Sequence, residues 1–223
     1  MANWLVAFGT IVLAIVAIFQ DRIRSWFWSP KLDCTISLHP PDCHRTISRL
    51  GDKQFFSYYY LLEIWNRGNV SARNVEVLIV DVQRKEGNSF KIIDSFLPDN
   101  LKWSTLFDIS GERLIPKRYC EYISPDSFKH CNLGHIHDPG YRKADGDDAD
   151  LSVGEKETIF CFDVHFMSTK RYYLVGPGVY KVKIKVGCEN ARTITRNYKI
   201  TVTGKWFEDE TRMLNEGVTI EQI

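Results

Sequence analysis

No charge of either sign dominates this chain. It carries 29 Lys and Arg against 28 Asp and Glu, a formal net charge of +1. That balance removes the bulk attraction to nucleic acid that a basic domain would have, so no nucleic-acid partner is expected. Histidine is sparse at six residues and methionine at three. Also missing are a Gly-x-Ser-x-Gly elbow, a Walker loop, a dinucleotide fingerprint, a His-Glu-x-x-His pair and the His-x-Glu…Pro-Cys-x-x-Cys pattern of zinc deaminases. Without these the chain reads as a non-enzymatic protein that needs no cofactor. A flexible Gly/Ser linker is lacking as well, so nothing separates an N-terminal segment from the rest.

Charge is absent altogether from the first nineteen residues. There the chain has its one long hydrophobic run, Trp4 to Phe19, in which Thr10 is the only polar side chain. A bilayer core takes about 20 helical residues, with a lower limit near 17. Ala2, Asn3 and Gln20 bring the run to that length. Trp4 on one side and Trp26, Phe27 and Trp28 on the other suit the headgroup zone. A cleaved signal peptide would begin with basic residues and end at small ones. This segment does neither, so the expectation is one retained transmembrane helix over 1–20, with the lipid bilayer as partner of Trp4 to Phe19. Arg22, Arg24 and Lys31 follow the run and no basic residue precedes it. The positive-inside rule then places the N-terminus outside and the following domain in the cytoplasm, at the inner membrane. Ala7, Gly9, Thr10, Ala14 and Ala17 are small enough for close helix packing, which leaves a homo-oligomer open. Residues 21–31 form a juxtamembrane segment, with Ile23, Trp26 and Phe27 on one helical face and Pro30 as its stop.

From Leu32 onward, period-two alternation takes over. Cys34, Ile36 and Leu38 form one apolar row, and Tyr58, Tyr60, Leu62 and Ile64 a second. Val75, Val77 and Ile79 form a third, whose pattern shifts near Val80 and Val82 as a bulge would shift it. Phe160, Phe162, Val164 and Phe166 line another. Tyr180, Val182, Ile184 and Val186 alternate with Lys181, Lys183 and Lys185, and Tyr198, Ile200 and Val202 follow. Turns at Asn66–Asn69, Glu86–Asn88, Gly176–Gly178 and Gly187–Asn190 separate them. Many strands and few helices indicate an all-β antiparallel β-sandwich over 32–206. The stretch 99–150 fits less well, although Lys102–Leu106 and Arg118–Ile123 suit strands. It reads as an insertion, irregular from Ser124 to Asp150 and a favoured place for function. In the tail, 207–223, Glu208–Asn215 suits a short helix and Val218 and Ile220 a last edge strand.

Two motifs carry a family resemblance. Glu63-Ile64-Trp65-Asn66-Arg67-Gly68-Asn69-Val70-Ser71-Ala72-Arg73-Asn74-Val75 resembles the N-x-G-x-x-x-A-x-x-V hairpin of immunoglobulin-like domains of the CARDB type. Leu174-Val175-Gly176-Pro177-Gly178-Val179-Tyr180 resembles their tyrosine corner, in which the hydroxyl bonds to backbone a few residues upstream. With the anchor, the juxtamembrane run and the Pro30-Lys31-Leu32 entry, the layout resembles a class of uncharacterised prokaryotic single-pass membrane proteins. The resemblance implies an immunoglobulin-like antiparallel β-sandwich behind one N-terminal transmembrane helix. It brings no catalytic residues with it.

One stretch has metal-binding residue types: His130-Cys131-Asn132-Leu133-Gly134-His135-Ile136-His137-Asp138. Cys131, His135 and His137 offer one sulfur and two nitrogens, with Cys120 or Cys43-His44 for a fourth ligand. The alternative is a polar loop with the two histidines on one edge of a strand. The acidic run from Asp145 lacks the Gly and the closing Glu of an EF-hand. Asn69-Val70-Ser71 is a formal sequon in which Asn serves the turn. Six scattered cysteines stay reduced in a cytoplasmic domain, and Cys34 and Cys161 read as small core residues. Lys181, Lys183 and Lys185, with Lys170 and Arg171, read as a solvated strand face. Three functions follow. The first is a membrane-anchored binding, sensing or scaffold module for a protein or small ligand. The second is an oligomerising membrane effector, and the third a metal-dependent hydrolase on the His/Cys stretch.

Overall fold

The computed structural model describes residues 2–93, 96–110, 113–145, 153–166 and 171–223, and the side chains of 20–27 are outside that description. The acidic run 147–150, Lys170 and the Ile23, Trp26 and Phe27 side chains of the juxtamembrane face therefore lie outside the described parts. Helix α1 (Ala2–Phe27) leads into β1 (Leu32–Thr35), β2 (Cys43–Leu50), β3 (Lys53–Asn66), β4 (Ala72–Glu86), β5 (Ser89–Ile92) and β6 (Asp99–Asn100). Then come β7 (Phe107–Ser110), β8 (Arg113–Pro116), β9 (Cys120–Ile123), β10 (Ser127–His137) and a 3-10 turn, Pro139–Asp145. The chain ends through β11 (Phe160–Phe162), β12 (Leu174–Val175), β13 (Gly178–Cys188), β14 (Ala191–Val202), the helical turn α2 (Glu210–Arg212) and β15 (Val218–Gln222).

The strands form two large antiparallel sheets and a separate two-stranded hairpin, β7–β8. In the first, β1 and β2 lie end to end along one edge of β3, and β10, β11 and β12 follow on its other side. In the second the order is β15-β14-β13-β4, and the outer edge of β4 is covered in turn by β9, β6 and β5. Short strands laid along a long one leave little open edge for stray pairing. After β6 the chain crosses to the first sheet, where Leu101 bridges Val164 and Trp103 bridges Cys131.

The alternating rows read from the sequence face each other in one core. Tyr58, Tyr60, Leu62 and Ile64 of β3 are buried, as are Val182, Ile184 and Val186 of β13 and Tyr198, Ile200 and Val202 of β14. The shift near Val80 is a bulge: Lys183 pairs with Asp81 and Ile184 with Ile79. The Tyr180 hydroxyl donates to the Gly176 carbonyl at 2.8 Å, the upstream backbone bond expected there. Phe166 falls out of its row and is 68% exposed. The tail helix is displaced from the expected Glu208–Asn215, running from Glu210 to Gly217 and turning from α to π at Met213. Asp209 caps α2 by accepting from the Arg212 amide, and a π turn, Met213–Gly217, then buries Met213 and Leu214 before β15.

Three further expectations meet a different outcome. Ser127–His137, read as part of an irregular insertion, is a long strand paired along β3. Its sequence hid this because a bulge between Asn132 and Gly134 breaks the alternation. Gly68, expected to serve turn geometry, has no positive φ; a Cβ there would lie 2.6 Å from the Lys31 amide nitrogen, so it permits close approach. At the N-terminus, among the described residues, no helix is long and apolar enough to cross a membrane. The uncharged apolar run Trp4–Phe19 is shorter than the about 20 residues a bilayer core takes, and Asp21, Arg22 and Arg24 follow it.

Candidate functional site

The outer face of the first sheet collects most of the chain's histidine. Antiparallel partners point to the same side of a sheet, so the β3–β10 register fixes that face. It pairs Phe128 with Trp65, His130 with Glu63, His135 with Tyr59 and His137 with Ser57. Strict period two would also put Cys131 with His135 and His137. The bulge inserts one residue between them, and Cys131 instead pairs with Leu62 on the core side. Gly134 makes this crossing feasible, since a Cβ there would overlap the Cys161 carbonyl and the Phe160 ring.

The expected metal set is therefore divided between the two faces. Among the described residues, Cys131, His135 and His137 do not converge as a ligand group. Cys131 is fully buried, its thiol donates to the Lys102 carbonyl at 3.4 Å, and burial pushes its pKa well up. The thiolate a metal would need is disfavoured there. Burial likewise raises Cys120, and takes Cys43 to about 12. His44 bonds through Nδ1 to the Pro41 carbonyl at 3.0 Å and stacks over Tyr59.

His135 and His137 each sit in a buried polar network of their own instead. His135 Nδ1 lies 3.1 Å from Asp163 Oδ1, and His137 Nδ1 lies 2.7 Å from Ser57 Oγ, which donates to Ser48 Oγ at 2.7 Å. The two imidazole centroids are 4.5 Å apart, and Tyr59 stacks on His135 at 5.0 Å. A serine within hydrogen-bond reach of a histidine has the distance of a nucleophile and its base. Here Ser57 is fully buried, so no substrate carbonyl reaches it. The network serves the sheet.

Two surface features flank this face. At one end, a groove of about 440 Å³ is lined by Ile47, Phe55, Phe56 and Tyr141, with Asp138 and Glu208 adding carboxylates. Phe55 and Tyr141 stack at 4.6 Å, and the Arg45 guanidinium lies 3.5 Å over the Phe56 ring. At the opposite end of β3, the turn after Asn66 grips the chain leaving α1. Asn66 Oδ1 accepts from the Lys31 and Gly68 amides, its Nδ2 donates to the Val70 and Ile123 carbonyls, and the Arg67 amide donates to the Lys31 carbonyl at 2.7 Å. Asn69, the sequon residue, accepts from the Ser29 amide at 3.2 Å. Arg67 lies 3.4 Å over Trp65, which packs on Phe128.

Sequence reasoning named the Asn66–Asn69 hairpin but not its role as a clamp, because the residues it holds lie 35 and 40 positions away. It also missed a second convergence, Asp42 with Glu63 and His130. That grouping depends on a cross-strand pairing that no local spacing announces. No family model, curated protein or solved structure matches the chain.

Proposed function

We propose that this protein is a membrane-tethered, non-enzymatic binding module: an immunoglobulin-like sandwich held at the inner leaflet by α1, with its distal groove free to capture a ligand. The observation that carries the reading is the clamp. Ser29, Lys31, Asn66, Gly68 and Asn69 are joined by backbone and side-chain bonds with no slack residues. The chain that leaves the helix is thereby held against the domain at Ser29 and Lys31. Apolar side chains project from all sides of that helix: Trp4, Leu5, Phe8, Leu13 and Ile18 are 68–83% exposed. An apolar surface of this kind calls for a non-aqueous surrounding. Arg22, Arg24 and Lys31 favour a cytoplasmic domain.

β3 runs from the groove at Gln54–Phe56 to the clamp at Asn66, so the groove faces away from the anchored end. The lining is mainly apolar, with Glu208 already paired to Arg45 at 2.6 Å, and suits a ligand with an apolar body. Ile47→Glu and Phe56→Glu change exposed side chains of the groove. Partners cross-linked to the full-length protein in native membranes should disappear with either variant while the thermal midpoint moves little. An unchanged partner set would contradict the reading.

A further inference from the structure

Asp42, Glu63 and His130 come from the β1–β2 connection, β3 and β10, and their ligand atoms all lie within 4.8 Å of one another. The carboxylates are already oriented. Asp42 Oδ2 accepts from the Ser37 amide at 3.2 Å, leaving Oδ1 to face His130 Nε2 at 3.0 Å. Glu63 Oε2 accepts from Trp65 Nε1 at 2.8 Å and Thr35 Oγ1 at 3.2 Å, and among the described residues Oε1 accepts no hydrogen bond. Phe128 packs edge-on against the His130 ring at 5.2 Å. Asp42 and Glu63 are thus held by hydrogen bonds from outside the trio, as metal-ligating carboxylates are, and His130 is packed by Phe128.

Charge points the same way. The Asp42 side chain is only 3% exposed. Among the described residues, neither Asp42 nor Glu63 forms an ion pair with Lys or Arg; the one partner is His130, cationic only when protonated. A buried carboxylate beside a second carboxylate is costly unless a cation or a proton neutralises it. His130 is 24% exposed, so the group opens to solvent on one side and an ion has an entry path.

We propose that Asp42, Glu63 and His130 bind one divalent first-row metal ion, Mn²⁺ or Zn²⁺. Two carboxylates and an imidazole suit these borderline and hard ions, and three protein ligands leave positions for water or a ligand group. Small side-chain rotations close the group to bonds of about 2.0–2.2 Å. The site is separate from the groove and stands without the membrane reading.

The test uses full-length protein in detergent, stripped with chelator and dialysed against Mn²⁺, Zn²⁺ or Ca²⁺ singly. One Mn²⁺ or Zn²⁺ per chain is expected. Glu63→Gln and His130→Ala should weaken binding more than about 100-fold, beyond the loss usual for a residue that only orients a ligand. His137→Ala should leave binding unchanged. Absence of one-to-one binding, a preference for Ca²⁺, or loss on His137→Ala but not His130→Ala would overturn the proposal. Pulsed electron paramagnetic resonance of Mn²⁺ on the wild-type protein keeps the test independent of how the variants fold. Imidazole nitrogen coupling is expected, and its absence would also overturn the site.

Discussion

At the scale of the residue, the thiols show burial setting chemistry. Among the described residues no disulfide joins the six cysteines, and Cys34, Cys43, Cys120, Cys131 and Cys161 are buried. Desolvation lifts Cys34 and Cys43 from an ordinary 9.0 to about 12. In the unfolded chain these groups lose their protons near pH 9, whereas the folded protein keeps them to about 12. The native state then binds more protons, so stability is full below pH 9 and falls as pH rises from 9 to 12. The urea midpoint should therefore be lower at pH 10.5 than at pH 8. A flat profile would mean that the thiols are solvated. Cys34 was legible as a core residue because it sits in a clean alternating row, and Tyr180 because its turn is short and local. Cys131 was not, since its face depends on a bulge whose cause, Gly134 against Cys161 and Phe160, lies in another strand.

At the scale of the element, strands read well wherever alternation is unbroken, as in β3, β13 and β14. Reading stopped where pairing rather than periodicity makes the strand. β10 has a bulge, and Leu101–Trp103 holds only isolated bridges between the sheets. The clamp belongs to this scale too. The Asn66 side chain, at the end of β3, joins Lys31 just before β1, the β3–β4 turn and β9 through four hydrogen bonds, and Asn66 is fully buried. Asn66→Ala leaves those backbone groups unpaired and should cost about 1–3 kcal/mol. Gly68→Ala should instead push Ser29–Lys31 off the domain, because the added Cβ meets backbone that cannot rotate away. Limited proteolysis is expected to cut near residues 28–31 in Gly68→Ala and to spare the parent protein. Equal protection of both would show that the helix exit is not held by this turn.

At the scale of the whole molecule, the proposed function strings an apolar helix, a clamp and a sandwich with a groove at its far end into one line from bilayer to ligand. The N-terminal run was conspicuous in the sequence as composition, since charge is absent there. The fixed junction was invisible because it depends on contacts across the fold. The most direct test of this arrangement is alkaline carbonate extraction of cells making the full-length chain, beside a chain lacking residues 2–28. The full-length protein is expected to stay in the membrane pellet and the shortened chain to be released. Release of the full-length protein would contradict the tether, and with it the proposal that this sandwich works at a membrane.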